Sequence, residues 1–471
     1  MGTKNRFYVD IMAMNQEVTG SCNLIVAKFP DGNSIRFIVD CGLFQEKKYN
    51  ELNNVLEFDP TNIDFCLVTH NHCDHTGRLP LLVKGGYRNN IYVTEQTSIL
   101  LPFGLYDTLK VLSEGAKHKH IKCLYDENDV SETLSLLRPC KFNETTIIND
   151  NVKVTFFMNG HLIGSSVILV QISYPGYENI NLFFTGDYKD KNVFFDVDSL
   201  PDWVTELPMT LIQESTYGNM STCEIQETFK DNITQCLSEN GTVLALVFSL
   251  GRAQEILYEL KKMQDNDELD LQIPIYMDGK LAKKYTDLYL NGKLNIEDER
   301  SDFLPKNLTF VDSEIRPKVL ESTDKKIVLT TSGMGSYGPA QTYIPVYVER
   351  KNVLIQFTGF TAEGTLGNKL KNTKTGDKVK CGGTTSIKNA QVEYTNEFSG
   401  HAKSDEMIEF LKQFKNLKLV LVNHGEVKTK EIFVHEIETK VAPKNVELLG
   451  KDYFFRINPY GLVKTVSTKF H

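Results

Sequence analysis

Short apolar runs closed by turn residues dominate the first two hundred positions. Residues 23–29, 35–39 and 65–69 read as strands, and so do 152–157, 167–173 and 182–185. Helical periodicity interrupts them near 96–112 and 129–138. Strand clusters with interspersed helices imply a layered α/β architecture. From about residue 206 the rhythm becomes strand–helix alternation. Residues 210–213 read as strand, 222–239 as helix, 242–248 as a β-branched strand and 252–263 as an amphipathic helix. Further strands are predicted at 273–276, 326–331 and 352–357, each followed by a glycine-containing loop. Such alternation predicts a doubly wound sheet, which gathers ligands at the carboxyl ends of its strands. The span 294–325 is charged and irregular and reads as surface. Near 396 the first pattern returns, with a strand at 417–422. The expected partition is therefore 1–205, 206–395 and 396–471, with the middle part inserted into the other two.

Composition narrows the choice. A chain of 471 residues holds two or three domains at roughly 100–200 residues each. The net charge of −9 argues against a protein that coats nucleic acid with a broad basic surface. It leaves room for a nuclease whose cations sit in one cleft. Nine cysteines form no Cys-x-x-Cys pair, and several lie in apolar runs, as Cys66 does. Reduced, buried thiols in a cytoplasmic protein are expected. The opening MGTKNRFYVD has no apolar leader core, and Arg6 stands where a myristoylation signal needs Ser or Thr. No apolar run reaches the ~18 residues that span a bilayer, so no membrane association is expected.

Chemistry concentrates in Thr69-His70-Asn71-His72-Cys73-Asp74-His75, directly after a predicted strand. Imidazole and carboxylate are the ligands that zinc and similar ions prefer. His70 and His72 can share one ion, while Asp74 and His75 turn towards a second position. His161 sits in a turn between strands, and Asp187 and His424 each follow the end of a strand. Any of these three alone could be a turn residue; beside the 70–75 run they become candidate ligands. His118 and His120 lie in a lysine-rich stretch and read as solvated, and His435 and His471 carry no motif.

These motifs resemble the metallo-β-lactamase superfamily and, more narrowly, its β-CASP nucleases. The branch in question includes the endonuclease subunit of pre-mRNA 3′-end cleavage and its short bacterial relatives. Asp40 matches the first superfamily motif, which supports the metal site from behind its ligands. His70, His72, Asp74 and His75 match the second, His161 the third and Asp187 the fourth. Glu214, His401 and His424 match the three β-CASP motifs, and segments 248–255 and 359–367 also look like family segments. Histidine at the position of His424 marks RNA-acting members. Lys403 departs from the family, which often has Asp there.

The resemblance implies an αββα metallo-β-lactamase sandwich with an inserted, mainly parallel β-CASP domain. It implies two Zn2+ ions, one held by His70, His72 and His161, the other by Asp74, His75 and His424, with Asp187 bridging. A hydroxide held by the metals would attack phosphorus in single-stranded RNA, with Asp74, His401 and Glu214 as catalytic groups. His401, oriented by Glu214, would be the general acid or, on the rival reading, a phosphate-binding cation. Ser399, Gly400 and Ala402 are small enough for a phosphate backbone to approach, and Arg252 could contact a phosphate or serve packing. A homodimer is one arrangement left open. A small-molecule (thioester-like) hydrolase, a DNA nuclease and an inactive scaffold are the alternatives.

Overall fold

Strict in–out alternation of Tyr8–Ala13 and Asn23–Lys28 turns one face of each strand to a core. With Ser34–Val39 they form an antiparallel meander. Phe65–Leu67, Ile91–Thr94 and Leu137–Cys140 extend it in parallel, and Tyr453–Asn458 and Gly461–Ser467 complete an eight-stranded sheet on the other side. A second, seven-stranded sheet runs from Thr145–Asn149 through Val152–Met158, Ser166–Ile172 and Ile180–Phe184 to Met209–Gln213, Leu417–Val422 and Val446–Leu448. Its first half is antiparallel and its second half parallel.

The facing sides of the two sheets share one core. Ile11, Ile25, Phe37 and Phe65 come from the first, and Phe156, Val170, Phe184 and Leu421 from the second. Burying each such side chain stabilises the fold by roughly 1.5–3 kcal/mol. Outside the first sheet, Leu79, Leu82, Leu101 and Leu105 pack on Ile38 and Val68. Outside the second, Met407, Leu411, Phe433 and Ile437 pack on Leu169, Leu211 and Val420. The layers are therefore helix, sheet, sheet, helix, as expected.

This computed structural model describes residues 7–294, 296, 298–359, 361 and 363–467. Arg6, His471, and Phe360 and Ala362 of the 359–367 segment lie outside the described residues. The sandwich comprises Met1–Asn192, Asp196–Cys223 and His401–His471; a second compact unit comprises Val193–Phe195 and Glu224–Gly400. That unit is built on six parallel strands in the order Leu308–Phe310, Ile275–Asp278, Lys326–Thr330, Thr242–Leu246, Val353–Phe357, Gln391–Tyr394. The central strands are buried at every position, the mark of a parallel sheet covered on both faces.

Three local expectations need correction. The helix predicted at 129–138 ends at Ser135, and Leu137–Cys140 is an edge strand, where Pro139 costs no ladder bond. The helix predicted at 222–239 begins only at Phe229, after a single 3-10 turn at Thr222–Glu224. The span 294–325 is not plain surface: Leu294 and Phe303 are buried, and it carries the edge strand Leu308–Phe310 and the helix Ile315–Glu321. Phe303 packs edge-on against Phe194 and Tyr289, which accounts for its burial. No described helix is long and apolar enough to cross a membrane.

Candidate metal centre

Strand ends of the sandwich deliver the candidate ligands. Phe65–Leu67 runs out into the loop bearing His70 and His72, and the turn Cys73–Thr76 supplies Asp74 and His75. His161 lies in the loop after Val152–Met158, where Asn159 Oδ1 accepts its backbone N–H at 3.0 Å. Asp187 follows Ile180–Phe184 through Gly186, which has φ +54° and where an added Cβ would stand 2.8 Å from Thr69 Cβ. His424 follows Leu417–Val422 with φ +49°, and Asp40 has φ +64°. Left-handed backbone at non-glycine residues is strained, and such strain clusters at functional sites.

The side chains converge. His70, His72, His161 and Asp187 present ligand atoms within 4.8 Å of one another, and so do Asp74, His75 and His424. His72 Nδ1 lies 3.1 Å from His70 Nε2 and 3.0 Å from His161 Nε2. His75 Nε2 lies 3.2 Å from His424 Nε2. Asp187 joins the groups: Oδ2 is 3.7 Å from both His70 Nε2 and His161 Nε2, and Oδ1 is 3.3 Å from both His75 Nε2 and His424 Nδ1. The buried Oδ1 accepts no hydrogen bond among the described residues.

Asp40 stands behind His75. Its carboxylate accepts the Thr69 N–H at 2.8 Å and the Thr69 hydroxyl at 2.9 Å, and faces His75 Nδ1 at 2.7 Å. That contact orients the ring and leaves Nε2 to face Asp187. Thr69 opens the sequence motif, and its hydroxyl links Asp40 to the loop that bears His70 and His72.

Burial holds His70 far below the ordinary imidazole range, with His75 and His161 adding to the effect. Burial likewise brings His72 down to about 4, against the pull of Asp74 and Asp187. Both are neutral at pH 7 and offer lone pairs. At His75 burial works the same way, but Asp187 and Asp40 outweigh it and raise the ring well above the ordinary range. Burial would raise Asp187, yet His424, His75 and His401 hold it well below the usual carboxylate range. Nitrogen pairs near 3 Å beside a buried carboxylate are a donor set that a cation satisfies better than hydrogen bonds do.

A third group, Asp187, Glu214 and His401, adjoins the candidate ligands. Glu214 accepts the N–H groups of Tyr188 at 3.0 Å and Thr216 at 3.2 Å, and its oxygens lie 3.1 and 3.2 Å from His401 Nδ1. His401 Nε2 points at Asp187 Oδ2, 3.9 Å away. Burial would lower His401, but Glu214 and Asp187 prevail and raise it. Lys403 is buried with Nζ 3.4 Å above the Tyr217 ring, and that ring meets His401 edge-on at 6.0 Å. Residue type gives no sign of the Tyr217 contact or of the burial of Lys403 beyond the departure at position 403.

The other candidates are placed differently. Ala402 is buried against Met407 and Leu411, and its N–H goes to Tyr188 O at 2.8 Å. Arg252, Ser399 and Gly400 belong to the second unit. The Arg252 guanidinium is paired at 2.9 Å with Glu255 on its own helix. His118 and His120 are exposed, as expected.

Comparison with known proteins agrees with this geometry. Residues 253–370 match the profile described as Beta-Casp domain, and 388–448 match the Zn-dependent metallo-hydrolase RNA specificity domain. Residues 18–215 match the anti-Pycsar protein Apyc1. The chain is 30% identical over 424 residues to the ribonuclease TTHA0252 of Thermus thermophilus, covering 87% of this chain and 91% of that one. The chain belongs to the β-CASP family. It is also 30% identical over 442 residues to the transcription termination factor FttA of Methanosarcina mazei, covering 88% of this chain and 66% of that one. With the cleavage and polyadenylation specificity factor subunit 3-I of Arabidopsis thaliana it shares 30% over 431 residues, 87% of this chain and 59% of that one. The resemblance read from the motifs is thus borne out, as is the fold class: a metallo-β-lactamase sandwich with a β-CASP insertion, in a family of hydrolytic, metal-binding nucleases.

Proposed function

We propose that this chain is a zinc-dependent ribonuclease that hydrolyses phosphodiester bonds of single-stranded RNA. The observation that carries the reading is Asp187, a buried carboxylate with one oxygen towards His70 and His161 and the other towards His75 and His424. His70, His72 and His161 would hold one zinc ion, Asp74, His75 and His424 a second, and Asp187 both. When bound, the ions supply Lewis-acid stabilisation of the phosphoryl oxygens and a nucleophile from water near neutral pH.

The rest is work for the chain's own groups. Asp40 keeps Nδ1 of His75 occupied, so that Nε2 remains available as a ligand atom. Glu214 holds His401 by Nδ1 and favours the imidazolium form. Cleavage of the P–O bond leaves an alkoxide on the departing ribose, and His401 Nε2 can hand it a proton. Backbone N–H groups of Tyr188 and Thr216 fix Glu214, so the acid does not need to be assembled during the reaction.

The test is end-labelled RNA incubated with purified protein, with and without chelator, alongside metal analysis. Chelator-sensitive cutting by protein carrying zinc is expected. Cutting of a thioester or of DNA in preference to RNA, or RNA cutting that survives complete metal removal, would overturn the reading.

A further inference from the structure

In a chain of net charge −9, residues 369–388 carry six lysines and a single aspartate. The stretch runs from the last turn of the helix Leu366–Asn372 through the antiparallel hairpin Lys378–Cys381 and Thr384–Ile387. Gly382 and Gly383, with φ of +55° and +100°, make the two-residue turn that a tight hairpin requires. Val379 and Cys381 are buried while Lys378 and Lys380 face outward, two residues apart on one strand. That is a step of about 6.8 Å, comparable to the step between neighbouring phosphates of an extended single strand.

Lys388 is spent internally on the carbonyls of Leu370 and Thr373. The other five lysines are exposed, and none makes an ion pair among the described residues. Lys369 and Lys371 complement a helix carboxyl end. That purpose does not extend to Lys374, Lys378 and Lys380. Residues 371–387 also fall between the two family profiles, which match 253–370 and 388–448. The lysine hairpin is therefore outside the part of the chain that those family profiles describe.

We propose that Lys371, Lys374, Lys378 and Lys380 form a second RNA-binding surface, which grips the phosphate backbone of a strand independently of the metal centre. The choice of RNA as the polyanion rests on the proposed ribonuclease function. Cations clustered along a helix end and the hairpin strand packed beside it bind a polyphosphate by releasing its counterions, so the contact is sequence-independent and salt-sensitive. It lets a long RNA bind more tightly than a short one at an unchanged metal centre.

The test compares the intact protein with the variant Lys371→Gln/Lys374→Gln/Lys378→Gln/Lys380→Gln and with the matching four-arginine variant. Binding of a long, fluorescein-labelled single-stranded RNA is followed by anisotropy across a salt series, and cleavage is measured on the long RNA and on bis(p-nitrophenyl) phosphate. The glutamine variant should lose at least about tenfold in RNA affinity, with a salt slope shallower by about 2 to 3 for four lost phosphate contacts. KM for the long RNA should rise, and hydrolysis of the small diester should not change. Arginine should restore binding. Wild-type affinity and slope in the glutamine variant would overturn the proposal. So would an equal loss on bis(p-nitrophenyl) phosphate, or lost binding to phosphatidylserine vesicles with RNA binding intact. A wild-type protein that binds RNA through these lysines yet cuts no RNA would sink the nuclease reading and leave this surface standing.

Discussion

Replacing Gly42 by Ala asks whether the ligand turn tolerates displacement. Gly42 is tied to Ser21 O by its N–H at 2.8 Å, and its neighbours are laced to the turn that bears the candidate ligands Asp74 and His75: Cys41 N–H to His75 O, and Leu43 N–H to Cys73 O. A methyl group at this position would stand 1.5 Å from Asp74 O, 2.0 Å from Asp74 C and 2.6 Å from His75 N. All three are backbone atoms, so no rotamer change relieves the clash. Ordinary carbon contact begins near ~3.5 Å, which means the two segments must part by about 2 Å. The residues carried away are Asp74 and His75, one from each side of the clash. Displacing reacting groups by about 1 Å can cost ~100-fold in rate, and overpacking costs about 1–3 kcal/mol in stability. The variant should therefore remain folded by circular dichroism, melt lower, bind less zinc and cleave end-labelled RNA about a hundredfold more slowly. Full zinc content with wild-type cleavage would refute the idea that close packing of Gly42 on the turn sets the ligand geometry.

A contrasting glycine serves as control. Gly115 lies inside the helix Glu95–Lys119 with open space around it, so Gly115→Ala should raise stability by about 0.5–1 kcal/mol in a denaturant titration and leave cleavage untouched. His401→Ala should slow RNA cleavage by roughly 10²–10⁴-fold and recover in part on a p-nitrophenyl ester, whose leaving group needs no proton; absence of any recovery would favour phosphate binding as its role. Lys430 is buried, with Nζ donating to Gln16 O at 2.7 Å, and burial brings its pKa down to about 8. Its unfolded value is near ~10.4, so the unfolded chain binds more protons between those limits, and stability should rise with pH across that window. Melting curves should show this rise, and Lys430→Met should reduce it, leaving the share of Lys326, which burial also brings down to about 8.

Local runs made part of the site legible in the sequence. His70, His72, Asp74 and His75 are recognisable because a single turn carries all four, and His161, Asp187 and His424 because each follows a strand end. Asp40 and His424 sit in left-handed backbone that nothing in their residue types announces; the surrounding hydrogen bonds hold them there. Leu137–Cys140 is not legible as a strand because apolar residues at 136 and 137 prolong the helical pattern, and four residues of edge strand are too few to show a period of their own. The elements between 294 and 325 are hidden for the same reason: a three-residue strand and a seven-residue helix leave no periodic trace. Lys403 was visible only as an unexpected charge, and its place over Tyr217 depends on a bridge between residues almost two hundred positions apart.

The discontinuity of the sandwich has a consequence for how the enzyme is made. The strand Leu417–Val422 lies inside the seven-stranded sheet, between Val446–Leu448 and Met209–Gln213. Neither that sheet nor the candidate ligand set can close until residues 417–448 have left the ribosome. The inserted unit draws its strands from residues 242–394 and can fold earlier, since domains fold as units during synthesis. His401 and His424 are thus the last of the candidate site residues to arrive, and until they leave the ribosome the nascent nuclease lacks a complete site.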